Sequence, residues 1–281
     1  MRPDSRFLKL PKDFWAHVRL ISQEVGYTVR GKGRVKAPSA DEIKMVMDKL
    51  SLSSTHIWSA DENVTNFGKL LLEYFDYRAS VLHGRVESLL MNAEDAKDLF
   101  QKLRNQLRPK CPIPMNKQKG RKRSPAFFTG IINMLIESNA RGFACDYDPR
   151  ILTTVTQRGV PVRTLARRVD GAFPSAVNPI AVWEIKEYYY TTTFGSRVAD
   201  GVYETLLDGM EIEELRSAEG IHVKHFLMID AHYTWWECGR SYLCRIIDML
   251  HMGYVDEVLF GREVVARLPE MVKEWVSLLD R

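Results

Sequence analysis

Asp170, Glu184 and Lys186 are the residues whose types and spacing best suit a hydrolytic centre. Glu184 and Lys186 stand two apart in the run Val182-Trp183-Glu184-Ile185-Lys186. Alternate side chains of a strand share a face, so an acid and a base emerge side by side from an otherwise apolar segment. A charge in such a setting is costly unless it is paired or bound to a metal. Asp170 can join them. It is followed by Gly171, a residue that permits a bend or a close backbone approach, and a connection over residues 173–179 would make a hairpin that sets Asp170 beside Glu184. Two carboxylates at one place repel each other, and a hard divalent cation relieves the repulsion. Magnesium is the expected ion, with manganese able to replace it. A cation of this kind activates water and polarises a phosphoryl oxygen. Lys186 can hydrogen-bond the attacking water and offset the charge that builds in the transition state. The chemistry expected is hydrolysis of a phosphodiester bond.

These side chains need a framework, and the second half of the chain provides one. Residues 125–140 read as an amphipathic helix with Phe127, Phe128, Ile131, Ile132, Leu135 and Ile136 on its apolar side. Strands are predicted at 152–156, 165–173 and 181–190 from their branched and aromatic residues. Residues 196–215 read as a helix striped by Val198, Val202, Leu206 and Met210, and 223–231 as a nearly all-apolar central strand. A helix at 242–252, a short strand at 257–260 and a closing helix at 263–279 complete the pattern. This order predicts an α/β fold, a mixed sheet flanked by helices.

The first part, residues 1–110, reads as mostly helical. Ser39 and Glu42 mark a helix start ahead of Ile43, Val46, Met47 and Leu50. A long helix is predicted over 66–91, and Asn92 is the expected N-cap of the next, toward Leu107. Residues 41–58 offer either a helix-turn-helix DNA reader or two helices that simply pack. Residues 111–124 read as a basic, proline- and lysine-rich linker or loop, because closely spaced prolines disfavour a helix. The catalytic part is then 125–281.

Charge is unevenly spread. The chain carries +4 overall, yet residues 101–123 hold nine Lys or Arg and no acid. Arg30, Lys32, Arg34 and Lys36 form a second basic run. Local excess of this kind suits a polyanion, because neutralising phosphates releases counterions. The candidate nucleic-acid contacts are Lys117, Lys119, Arg121, Lys122, Arg123 and Arg168. With 45% hydrophobic and 27% charged residues the composition is that of a soluble globular protein. No stretch approaches the roughly 18 to 20 apolar residues of a membrane span, and residues 1–12 lack the apolar core of a signal peptide. None of Cys111, Cys145, Cys238 and Cys244 forms a CxxC pair, so reduced thiols in a cytoplasmic protein are expected rather than a zinc site.

Asp170, a gap of thirteen residues, and then Glu184-Ile185-Lys186 resemble the PD-(D/E)XK nuclease superfamily, the restriction-endonuclease-like fold. The resemblance covers roughly residues 125–281, including the order of helices and strands, and leaves the N-terminal part out. Val169 stands where the motif has proline. The resemblance implies Asp170 and Glu184 as metal ligands and Lys186 as the third catalytic residue. It implies a further ligand on the helix before the strands, at the position of Glu137. It also implies a magnesium-dependent DNA endonuclease of restriction or phage-defence type, acting on double-stranded DNA as a homodimer, with a cognate methyltransferase acting separately. The rivals are a repair or single-strand nuclease, and a non-catalytic nucleic-acid-binding protein on the same fold.

Several neighbours are weaker candidates. Arg168, on the face of Asp170, is either a phosphate contact or half of an ion pair. Tyr188 continues the face of Glu184. Thr191, Thr192, Thr193, Gly195 and Ser196 lead into a helix start that could hold a phosphate, although an ordinary cap by Ser196 is favoured. Asp200, Glu204 and Asp208 recur every four residues, so that one of them could support the site, although a solvated acidic face is the favoured reading. His222, His225 and His232 lack ligand-like spacing. Trp235 and Trp236, with Tyr233, are expected mainly to pack.

Overall fold

In the computed structural model, residues 1–29, 33–118, 121–190 and 195–279 are described. The chain is a mixed α/β structure whose main sheet has four strands in the order β10-β9-β8-β7. These are β7 (Gly171–Phe173), β8 (Ala181–Glu187), β9 (Lys224–Asp230) and β10 (Glu257–Phe260). β8, β9 and β10 run parallel, and β7 pairs antiparallel with β8, Gly171 opposite Trp183.

Strand alternation builds a core on each side of this sheet. Trp183, Phe226, Met228 and Leu259 face α5 (Ala93–Leu107), α6 (Phe127–Asn139) and α9 (Glu263–Leu279). Leu227, Ile229, Val258 and Phe260 face α7 (Ser196–Glu219) and α8 (Arg240–His251). A strand buried on both faces reads as a continuous apolar run, and β9 is such a strand.

The N-terminal part packs around α1 (Lys12–Val25), α2 (Ala40–Lys49) and α3 (Asn66–Val81). Capping sets the starts of α2 and α3. Ser39 and Glu42 form a reciprocal capping box on α2, and the Thr65 hydroxyl accepts from the Gly68 N–H at 3.1 Å. α3 does not run unbroken to residue 91. It passes through a π-turn, Leu82–Val86, into the short α4 (Glu87–Leu89). Asn92 caps α5 as expected, accepting from the Glu94 and Asp95 N–H groups at 2.9 Å. α5 packs on α6, with Ala96, Phe100 and Leu103 in the same core as Phe127 and Ile131.

Three local expectations change. Residues 55–58 form a turn instead of a second helix: Ile57 and Trp58 N–H both donate to Ser54 O, and Trp58 pairs with Val64. The helix-turn-helix is therefore not formed. The basic segment is not an open loop, because β3 (Met115–Gln118) pairs with β4 (Arg121–Pro125) as a hairpin. Its prolines fall before β3 or at the end of β4, so the ladder keeps the N–H groups it needs. The strand expected over 165–173 is reduced to β7. Upstream, β5 (Thr154–Gln157) makes its own hairpin with β6 (Val160–Thr164). Between β6 and β7, the Ala166 N–H turns to the Glu211 carboxylate at 3.0 Å instead of to a strand.

Among the described residues no helix is long and apolar enough to cross a membrane. All four cysteines are free. Burial pushes the thiols of Cys111, Cys145 and Cys244 up to about 12, which keeps them protonated.

Candidate active site

β8 sends Trp183, Ile185 and Glu187 to the α6–α9 side and Val182, Glu184 and Lys186 to the α7 side. Trp183 lies nearly parallel to Trp275, with centroids 5.6 Å apart and planes at 13°, which fixes the strand's rotation. Glu187, on the far side, accepts from the Thr129 N–H and hydroxyl at 3.0 Å. Glu184 is wholly buried and Lys186 nearly so.

Asp170 meets Glu184 at the entry to β7. Its N–H donates to Glu184 Oε1 at 3.3 Å, and its Oδ2 accepts from the Ile185 N–H at 2.7 Å. Gly171 makes this approach sterically feasible, since a Cβ there would lie 2.2 Å from the Trp183 indole. Lys186 Nζ donates to Glu184 Oε2 at 2.8 Å and to Glu204 Oε2 at 2.9 Å. The three expected residues thus converge at one end of the antiparallel β7–β8 pair.

Two carboxylates and a guanidinium join them. α7 contributes Glu204 and Asp208, one turn apart. Gly201 lets this helix come close, because a Cβ there would lie 2.9 Å from the Tyr188 hydroxyl and 3.2 Å from Lys186 Cδ. Arg167 spans the cluster. Its Nη1 lies 2.9 Å from Glu184 Oε1 and 2.5 Å from Asp208 Oδ2, and its Nη2 is 3.4 Å from Glu204 Oε2.

The electrostatics are unbalanced. Among the described residues, Asp170, Glu184, Glu204 and Asp208 face two cations, Arg167 and Lys186, a formal excess of two negative charges. Burial, with the Glu184 charge adding to it, raises the Asp170 carboxyl to about 6 and that of Asp208 to about 7. Glu184 goes the other way. Burial opposes its charge, yet Lys186 and Arg167 outweigh burial and hold it below the ordinary glutamate range. Burial likewise works against the Lys186 ammonium, but Glu184 and Asp170 keep it charged. Asp208 Oδ1 is buried with no hydrogen-bond partner among the described residues. A divalent cation, or two protons, would meet that charge excess.

A cation at this cluster would be held by few protein ligands. Among the described residues no three His, Cys, Asp or Glu side chains are grouped so as to enclose a metal. Asp170 and Glu184 would be the protein donors, with water completing the shell, a common arrangement for magnesium.

Other expected residues lie elsewhere. The Glu137 carboxylate accepts from the Lys110 N–H at 2.9 and 3.2 Å, so it caps the chain before the β3–β4 hairpin. Arg168 is exposed, and its neighbour Arg167 holds the cluster. Lys117, Arg121, Lys122 and Arg123 lie on the hairpin strands, with Lys117 opposite Lys122. Their side chains lie outside the described structure, as do Lys119, Arg30, Lys32, Thr191, Thr192, Thr193 and the Ser196 side chain. Tyr188 stacks on Trp235 at 5.6 Å and its hydroxyl donates to Arg197 O. Trp235 and Trp236 are buried. Asp200 is exposed and only Glu204 and Asp208 of its series reach the cluster. His225 is buried, with Nδ1 2.8 Å from Tyr254 O.

Sequence alone does not single out Arg167, and it offers one of Asp200, Glu204 and Asp208 as a support for the site where two of them reach it. The one available signal was charge: Arg167 sits three residues before Asp170, and Asp208 follows Glu204 at helical spacing.

A mixed sheet bearing a buried, carboxylate-rich cluster at one edge is the class of protein that fold and site define. Residues 91–275 match the family described as Domain of unknown function (DUF7687), and the chain belongs to that family. Residues 1–85 match a second one, Domain of unknown function (DUF7690). No curated protein and no solved structure matches the chain.

Proposed function

We propose that this protein is a magnesium-dependent endodeoxyribonuclease with a restriction-endonuclease-like catalytic fold, acting at Asp170, Glu184 and Lys186. The observation that carries the reading is the meeting of Asp170 with Glu184 and Lys186 at the β7–β8 pair, within a cluster two negative charges in excess. Magnesium, when bound, would supply the charge neutralisation and water activation that phosphodiester hydrolysis needs. Asp170 and Glu184 would hold it. Lys186 would donate from Nζ toward the attacking water and the scissile phosphate, with Glu184 and Glu204 fixing the ammonium in place. Arg167 would position Glu184 and yield part of that carboxylate to the cation. Double-stranded DNA is the preferred substrate in this reading, and a homodimer would cut both strands through two such sites. The basic β3–β4 hairpin is a candidate contact for the DNA backbone.

One observation favours a second reading. The Arg167 guanidinium already bridges Glu184, Glu204 and Asp208, which suits a nucleic-acid-binding protein that has lost catalysis.

Incubation of unmethylated plasmid and phage DNA with magnesium separates the two. Cleavage by the wild type is expected, with Lys186→Ala and Asp170→Asn each reduced by roughly 100-fold or more. Salt-sensitive DNA binding without cleavage by any of the three proteins would reject the nuclease reading in favour of the second.

A further inference from the structure

A cavity of about 520 Å³ lies between α1 and the α7–α8 pair, where the two family regions meet. That volume lies within the ordinary range of small-molecule sites. Leu20, Val202, Leu206 and Met249 give it apolar walls, and Tyr27 and Tyr203 supply aromatic surface. Arg245 and Arg19 both line it, and neither has a carboxylate within ion-pair distance among the described residues. Asp248, the lining acid, is already committed to Arg78 and Tyr74.

Arg245 is held ready for use. Its guanidinium lies 5.1 Å from the Tyr27 ring centroid and 5.2 Å from that of Tyr242, and Nη1 donates to the Tyr203 hydroxyl at 3.0 Å. Tyr27 is a hydrogen-bond partner as well, so two tyrosines restrain the guanidinium, whose remaining N–H groups and planar fork suit phosphate. Arg19 is exposed and donates to the Met252 sulfur at 3.4 Å, a weak acceptor. Apolar and aromatic walls beside two arginines lacking anionic partners match a flat ring carrying a phosphate.

The geometry points to a binding site for a nucleoside monophosphate in this cavity, separate from the Asp170–Glu184–Lys186 cluster. The phosphate meets Arg245 and Arg19, and the base lies against Tyr27, Tyr203 and the aliphatic wall. α7 links the two places: Val202, Tyr203 and Leu206 line the cavity, while Glu204 and Asp208 of the same helix reach the charged cluster. The ligand is therefore placed to influence that cluster through one rigid element.

Isothermal titration of the full chain with AMP, GMP, CMP and UMP tests the assignment. Adenosine, inorganic phosphate and hexyl phosphate are the comparison arms. At least one monophosphate is expected to bind tenfold or more tightly than adenosine, phosphate or hexyl phosphate. Leu206→Trp, which fills the cavity, and Arg245→Gln should each weaken that binding at least tenfold with an unchanged melting temperature, while Lys186→Ala should leave it intact. If Arg245→Gln does not fold, Leu206→Trp alone decides. Absence of binding by all four monophosphates overturns the assignment. So does equal binding of inorganic phosphate, or of hexyl phosphate, which would mean a simple anion or an alkyl phosphate. Loss of binding in Lys186→Ala with Leu206→Trp unaffected also overturns it, because the nucleotide would then sit at the charged cluster.

Discussion

Asp208 is buried, with Arg167 beside its Oδ2 and its Oδ1 without a hydrogen-bond partner among the described residues. Its carboxyl is raised to about 7 and that of Asp170 to about 6, both chiefly by burial. In the unfolded chain such groups titrate near 4, so between about pH 4 and 7 the folded protein holds protons that the unfolded chain has released. Stability from the protonated forms is complete below pH 4 and is lost as pH rises through 6 and 7. Glu184 has the opposite sign, since its lowered value makes stability fall only on acidification below the ordinary glutamate range. Without divalent cations the melting temperature should therefore decline from pH 5 to pH 8, and Asp208→Asn should flatten part of that decline in a thermal scan. An equal slope in the variant would show that Asp208 is not the group responsible. At this scale half of the cluster was legible. Strand alternation paired Glu184 with Lys186, and the Asp-Gly step located Asp170. Arg167 escaped because residues 165–170 are not a strand, so alternation assigned the face of Asp170 to Arg168. Glu204 and Asp208 read as a solvated helix face, and the close approach of α7 at Gly201 brings Glu204 to Lys186 and buries Asp208.

At the level of elements, periodic segments were readable and hairpins were not. β9 is an apolar run, β10 a short one and α9 a strong stripe, and pattern places their limits close to those observed. α1 carries Phe14, Trp15, Val18 and Ile21 at helical spacing, yet the predicted helices began only near residue 39. The β3–β4 and β5–β6 hairpins contain prolines and charges that read as loop, and their pairing comes from tertiary context. The β7–β8 pair shows how tightly one such contact is set. Gly171→Ala would gain about 0.5–1 kcal/mol by restricting the unfolded chain. The new methyl, however, would fall 2.2 Å from an indole that is itself stacked on Trp275. Overpacking at such a site typically costs about 1–3 kcal/mol, so the clash wins and net destabilisation is expected. Urea unfolding measures it, and an unchanged midpoint would mean that Trp183 can move aside freely.

Across the whole molecule, the two family regions are joined by a buried ion pair. Arg78 Nη1 contacts both Asp248 oxygens at 3.0 Å, Nη2 reaches the Ser22 hydroxyl at 3.0 Å, and Tyr74 donates to Asp248 at 2.6 Å. α1, α3 and α8 therefore share one polar joint inside an apolar interior. Arg78→Met removes the cation and leaves Asp248 buried with Tyr74 alone. Breaking one side of such a pair costs about 3–5 kcal/mol, and a loss of that order is expected by chemical denaturation. A loss below about 1 kcal/mol, the scale of an exposed pair, would mean that water reaches the joint. The mixed α/β character was legible from the order of elements. This joint was not, since nothing local in the sequence pairs residue 78 with residue 248.

The Trp183 indole lies against Gly171, one residue from Asp170, and is itself stacked nearly parallel on Trp275. Two coupled chromophores at that spacing make an optical gauge within the fold. A shift of the β7 edge would change their mutual orientation, and with it the near-ultraviolet dichroism and emission of the protein. Rearrangement around Asp170 could thus be followed in solution without any attached label.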